Sequence, residues 1–308
     1  MTPLEIAKAK DEFILKRQDK LLAGATALEK KLFKKIVEKF VEKLIVDNGV
    51  ITSNNKPISI TRALDKLFDE FKAQLQLVSN QVQTDFTKIL TFNGQYYKGF
   101  ETDGKRYKKI QDSVYEQMRD RVGIDEKGEF KRGGFLDQLI QDNQLRAEVK
   151  NATIKAVTGG AKFSDFLKST EVLIQGSENV DGSLTRYYKG FAYDAYQQFD
   201  RATNKGFADK LGLTVFVYSG GLIDDSREFC IKKNRKVFTI EEANEQWPED
   251  KDLLKTKAEK ESGTLADYQP LLDMGRWNCR HTPMYITERE ALRRRPDLKA
   301  YFDAKKTK

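Results

Sequence analysis

Leu213-Thr214-Val215-Phe216-Val217-Tyr218, followed by Ser219-Gly220-Gly221, decides the fold class. β-Branched and aromatic residues crowd a run that is too short for a helix and is closed by a glycine pair, so it reads as a strand, the clearest in the chain. Upstream the pattern is helical. Downstream the character changes: both cysteines, both tryptophans, the single histidine and four of the six prolines follow Ser219. The expected fold is therefore α+β, a mainly helical N-terminal part with long amphipathic helices followed by a small C-terminal α/β module.

Moving back from the strand, Leu184, Tyr188, Phe191, Ala195, Phe199 and Ala202 share one face of an aromatic helix. The segment Gly176 to Gly182, rich in Ser, Asn, Asp and Gly, reads as a linker or loop. Before it, Ser164 caps a short helix running to Ile174, and a longer helix spans Phe135 to Val157, closed by Gly159-Gly160. Gly123 to Phe130 carries the turn residues and flanking apolar positions of a hairpin, after a helical stretch centred on Ile110 to Met118. Two long stripes come first. Leu28, Leu32, Phe33, Ile36, Phe40 and Leu44 recur at helical spacing until Asp47-Asn48-Gly49. Leu64, Leu67, Phe68, Phe71, Leu75 and Val78, extending to Phe86 and Ile89, form the second, with Thr61 as N-cap and Asn93-Gly94 as the break. A short extended piece is expected between them at Ile58 to Ile60. These readings divide the chain into a helical domain over 1–178, an α/β module over 179–290 and a basic C-terminal tail over 291–308.

A chain of 308 residues with 39% hydrophobic and 11% aromatic content can bury a core. Lys plus Arg at 55 against Asp plus Glu at 47 leaves a net charge of +8, which suits contact with nucleic acid or an acidic surface and equally suits a solvated surface of mixed sign. Apolar runs such as 213–218 fall far short of the roughly 20 residues of a membrane span. The start Met1-Thr2-Pro3-Leu4-Glu5 has no signal-peptide apolar block, so folding in the cytoplasm of the producing cell is expected. Two cysteines cannot staple a secreted scaffold of this length.

Three blocks carry the chemistry: Asp224-Asp225-Ser226-Arg227-Glu228-Phe229-Cys230, Arg235-Lys236-Val237-Phe238-Thr239, and Gly275-Arg276-Trp277-Asn278-Cys279-Arg280-His281. Strands pairing in one sheet would bring the two cysteines together. Cys230, Cys279 and His281 then offer three zinc ligands, with Asp224 or Asp225 as a fourth; the other reading is two small buried cysteines and a histidine held by a backbone carbonyl. With one histidine, a thiol nucleophile could only be Cys230 or Cys279 paired with His281, and no protease signature surrounds either cysteine. Arg227, Arg276 and Arg280 could tie loops through carboxylates or bind phosphate. The basic residues Arg289, Arg293 to Arg295, Lys305, Lys306 and Lys308 suit either nucleic acid or a solvated helix end. Neither Gly159-Gly160 nor Gly220-Gly221 continues into a nucleotide-binding loop.

In this order and spacing the blocks resemble the phage head morphogenesis or minor head proteins, the Mu F-like family. Ser226-Arg227-Glu228-Phe229-Cys230 matches the family's element before a cysteine, Lys236-Val237-Phe238-Thr239 its following strand, and Asn278-Cys279-Arg280-His281 its last element. Asp225, Arg227, Cys230, Asn278, Cys279, Arg280 and His281 are the motif residues so defined. Arg235 stands where many relatives have glycine, implying a different turn, and Arg227 stands where some have a second cysteine. The resemblance spans about Ser219 to Ile286 and implies a low-copy, non-enzymatic virion protein inside the head or at the portal vertex. Its implied partners are the portal protein, the major capsid or scaffolding protein and double-stranded DNA during packaging or exit. No cofactor is implied, with zinc as the one candidate. A DNA-binding protein outside the virion, or a toxin-like enzyme using Cys279 and His281, are the alternatives.

Overall fold

The computed structural model describes residues 2–52, 57–138, 143–224, 226–254, 259–260, 263, 265–276 and 279–306. The expected α+β architecture is what the chain adopts. Its elements divide into two compact units that interleave along the sequence. One comprises Arg17–Asp85 and Arg121–Ala192; the other comprises Met1–Lys16, Phe86–Asp120 and Tyr193–Lys308.

The helical unit is built on α1 (Pro3–Lys39) and α2 (Pro57–Tyr97), each of which contributes residues to both units. In this unit Leu21, Ala25, Leu32 and Ile36 of α1 and Leu64, Leu67, Phe71, Leu75 and Val82 of α2 are buried, steps of three and four that keep one helical face apolar. Helix α2 starts at Pro57, a residue suited to a first helical position, so Ile58 to Ile60 are helical and not extended, and Thr61 is not the cap. Asp47-Asn48-Gly49 lies in a hairpin, β1 (Val46–Asp47) with β2 (Val50–Ile51), whose two-residue turn places Asn48 and Gly49 at φ 48° and 78°.

After α3 (Gly104–Arg121) the expected hairpin is present: Ile124 pairs with Phe130, and the Asp125 carboxylate accepts from the Lys127 and Glu129 amides at 2.9 and 2.8 Å. Helices α4 (Phe135–Gln138), α5 (Asn143–Gly159) and α6 (Phe163–Gln175) follow, and residues 139–142 of the expected continuous helix lie outside the described residues. Gly176 to Gly182 forms a hairpin, β3 (Gly176–Ser177) with β4 (Val180–Asp181), in place of a linker. It leads into α7 (Ser183–Leu211), where the buried Glu29 carboxylate accepts from Thr185 N and Oγ1, both at 2.7 Å, and satisfies the helix start. A Cβ on Gly182 would stand 2.5 Å from Glu29 Cδ, so glycine is required there.

The second unit contains an antiparallel sheet in the order β6-β5-β7, with β5 (Val215–Gly220) central. Helix α8 (Glu228–Lys233), β6 (Val237–Thr239), α9 (Ile240–Gln246), α10 (Pro270–Asp273), β7 (His281–Ile286), α11 (Glu288–Arg294) and α12 (Lys299–Lys306) belong to it as well, together with α3 as far as Asp120 and α7 from Tyr193. Alternation along β5 puts Val215 on one face, clustered with Val237, Ile286, Ala291, Leu298 and Phe302. Phe216 and Tyr218 point to the other, around a buried Trp247 that meets both rings edge-on, as it does Phe229 and Phe238.

The segment after 291 is not a free tail. Leu298 and Phe302 enter the core, and the basic groups are paired: Arg294 with Glu290, Arg295 with Glu242 and Asp297, Lys305 with Glu241, Lys306 with Glu288. Asn93-Gly94 does not break α2 either. Asn93 is buried and bonded, and a Cβ on Gly94 would stand 2.6 Å from both Gln111 Nε2 and Tyr115 Oη, so the glycine admits a close neighbour within a continuous helix.

Candidate metal centre

The central strand supplies the floor of the site. Tyr218 emerges from β5 beside the ring of His281, the first residue of β7, stacked at 4.5 Å between centroids and 29° between planes. Cys279 lies just before β7, and Cys230 sits on α8, a helix and not a strand as sheet pairing alone would suggest. The expectation that the fold joins the two cysteines holds: Cys230 Sγ is 3.8 Å from Cys279 Sγ, which is 3.7 Å from His281 Nδ1. The Tyr218 hydroxyl lies 3.3 Å from one sulfur and 3.6 Å from the other. All four side chains are buried, and both thiols are free.

Backbone geometry closes the roof. Met274 and Arg276 adopt left-handed φ of 50° and 69°, carrying Gly275 directly over the sulfurs. A Cβ on Gly275 would stand 2.4 Å from Cys230 Sγ and 3.1 Å from Cys279 Sγ, so only glycine fits. The Tyr268 hydroxyl donates to the Met274 carbonyl, and Arg276 grips Glu259 through two bonds of 2.9 and 3.1 Å. Of the two roles open to the arginines, Arg276 thus takes the loop-tying one.

A buried guanidinium fixes the strand side. Arg201 of α7 donates to the carbonyls of His281 (2.9 Å), Leu272 (2.7 Å) and Cys279, tying the loop and the start of β7 to one buried group. Burial alone would raise the Cys279 thiol. Hydrogen bonds from Cys230 and His281 and the positive charge of Arg201 outweigh that and hold it well below the ordinary thiol range. Cys230 moves upward, because its proton is shared toward Cys279 and because it too is desolvated.

The sequence-predicted residues divide as follows. Cys230, Cys279 and His281 come together, with ligand atoms all within 4.8 Å of one another. Asp224 is exposed and outside that group, while Asp225 and Asn278 lie outside the described residues, as does Trp277. Arg227 is the N-cap of α8 and its charge favours the Cys230 thiolate. Arg280 is half-buried on the loop, its Nε without a hydrogen-bond partner. Arg235, at φ 64°, occupies the left-handed region that a glycine enters freely, so the turn before β6 does not differ from a glycine turn as its side chain suggested.

Tyr218 and Arg201 lie outside the three blocks, and Gly275, which opens the third, has no role that its residue type alone would announce. A second buried network in the same unit also lies outside the blocks. Lys10 Nζ lies 2.8 Å from Asp200 Oδ1 and 2.9 Å from Asn93 Oδ1, and Asp200 Oδ2 accepts from Thr282 Oγ1 at 3.0 Å, on the opposite face of β7 from His281. A signal existed for Lys10: it falls in the buried series Ile6, Lys10, Ile14, a charge on an apolar stripe. A polar cavity of about 290 Å³ opens nearby, lined by Asp194, Gln198, Arg201, Glu259, Tyr268 and Arg276 among others; neither cysteine nor His281 lines it. Comparison with protein-family models, with curated proteins and with solved structures finds no match to this chain.

Proposed function

We propose that this chain is a minor head protein of a phage particle, acting by binding within an assembly around the portal and not by catalysis. The observation that carries the reading is convergence. The three blocks that resemble the Mu F-like family, separated in sequence, belong to one small module: Cys230 on α8, Val237 to Thr239 as β6, and Cys279 and His281 at the entry to β7. Motifs that converge on a shared interior are what a heritable structural module requires.

Three further features support binding over the alternatives. Cys279 and His281 are 4% and 2% exposed, which leaves an electrophilic substrate no approach to the sulfur, although the lowered thiol would suit a nucleophile. The basic residues of 293–306 are largely engaged with Glu241, Glu242, Glu288, Glu290 and Asp297, leaving a weak electrostatic footprint for sequence-independent DNA binding. No helix among the described residues is long and apolar enough to cross a membrane.

The test is association with a portal ring from the same phage, measured by analytical ultracentrifugation of the purified components. Co-sedimentation that saturates at a fixed stoichiometry and survives moderate salt is expected. Free sedimentation at every concentration, or binding to duplex DNA alone with a steep salt dependence, overturns the proposal.

A further inference from the structure

We infer that Cys230, Cys279 and His281, closed by the Tyr218 hydroxyl, form a structural zinc site.

The argument is geometric. Zinc takes sulfur at about 2.3 Å and imidazole nitrogen at about 2.0–2.1 Å in tetrahedral array, which sets ligand atoms roughly 3.5–3.8 Å apart. Cys230 Sγ to Cys279 Sγ is 3.8 Å, and Cys279 Sγ to His281 Nδ1 is 3.7 Å. The Tyr218 oxygen, at 3.3 and 3.6 Å from the sulfurs, takes the fourth vertex. The edge from Cys230 Sγ to the His281 ring nitrogen lies within 4.8 Å and draws in around the ion.

The surroundings fit a closed site and not a catalytic one. A catalytic zinc keeps an open position for water, whereas here the ligands are buried, Gly275 leaves no room for even a methyl group above the sulfurs, and the fourth vertex is a side chain. Two thiolates balance the ion's double charge, which suits an interior of low polarity. Arg201 orients both Cys279 and His281 through their carbonyls, as the supporting groups of metal sites do. Three soft or borderline donors, drawn from α8, the loop before β7 and β7 itself, meet at one buried point.

The full chain, reduced and stripped of metal, is titrated with Co²⁺. One equivalent should bind with thiolate-to-cobalt charge-transfer absorption, and Zn²⁺ should displace it. Native mass spectrometry should then show a gain of one zinc less two protons, both thiols having given up theirs. His281→Ala should weaken binding at least about 100-fold and Tyr218→Phe about tenfold, with the charge-transfer band retained in the latter. A folded, reduced chain that shows no such band overturns the assignment without recourse to any variant. A reduced chain whose mass stays that of the metal-free protein at saturating Zn²⁺ overturns it as well.

Discussion

The helical unit and the sheet-containing unit differ in how they use buried polar groups. In the first, the interior is mainly an apolar seam, Leu21, Ala25, Leu32 and Ile36 from α1 and Leu64, Leu67, Phe71 and Leu75 from α2, with Glu29 spent on a helix start and Asp85 paired with Arg17 at 2.8 Å. In the second, β7 separates a lysine–aspartate–asparagine network from a cysteine–histidine–tyrosine cluster, and a guanidinium is threaded among backbone carbonyls. Apolar seams tolerate exchange among residues of similar volume. Buried polar clusters do not, because each group removed strands its partner.

The largest expected effect breaks the comparison directly. Lys10→Met leaves Asp200, fully buried, without its cation and should cost about 3–5 kcal/mol. Leu32→Met, at an equally buried place in the helical unit, should cost less than about 1.5 kcal/mol. Urea denaturation measures both, and equal costs would erase the distinction.

Next comes Phe302→Ala, expected to cost about 3 kcal/mol because its ring belongs to the core with Val215 and Ile286. A change in melting temperature indistinguishable from zero would return the segment after 291 to a solvated tail.

A pH effect follows. Burial pushes the Asp11 carboxyl up to about 7; Lys10 opposes that shift, and the Asp200 and Glu12 carboxylates reinforce it. Between its ordinary value of 3.8 and about 7 the folded chain holds a proton that the unfolded chain has lost. Stability therefore falls as pH rises through that window and levels off above it. Asp11→Asn should flatten this part of the stability profile, and an unchanged slope would assign it to other groups.

The smallest expected effect is a gain. Arg235 is exposed with φ 64°, so Arg235→Gly should stabilise by about 1 kcal/mol, read as a rise of a few degrees in melting temperature. A loss would mean that the arginine side chain contributes more than its backbone strain costs.

The same contrast explains what could be read from the sequence. The two long helices were legible because three-four periodicity persists over many turns, and the hairpin at 124–130 because Asp125 and Gly128 supply its turn chemistry. Local breaker signals misled where glycine serves packing: Gly94 and Gly182 stand where neighbouring side chains approach too closely for a Cβ, a reason invisible along one chain. Cys230, Cys279 and His281 were legible as a set because their residue types are rare here and their motifs are ordered. Tyr218 and Arg201 were not, since a tyrosine in a strand and an arginine in an aromatic helix look like ordinary packing and surface until the fold brings them to the sulfurs and carbonyls.

The reading as an assembly protein is tested most directly by quantitative mass spectrometry of procapsids and virions produced by the system encoding this chain, before and after triggered DNA release. The account predicts a few copies per particle, present from the procapsid onward. Absence from procapsids and virions alike, with the protein abundant in the producing cell, would contradict it.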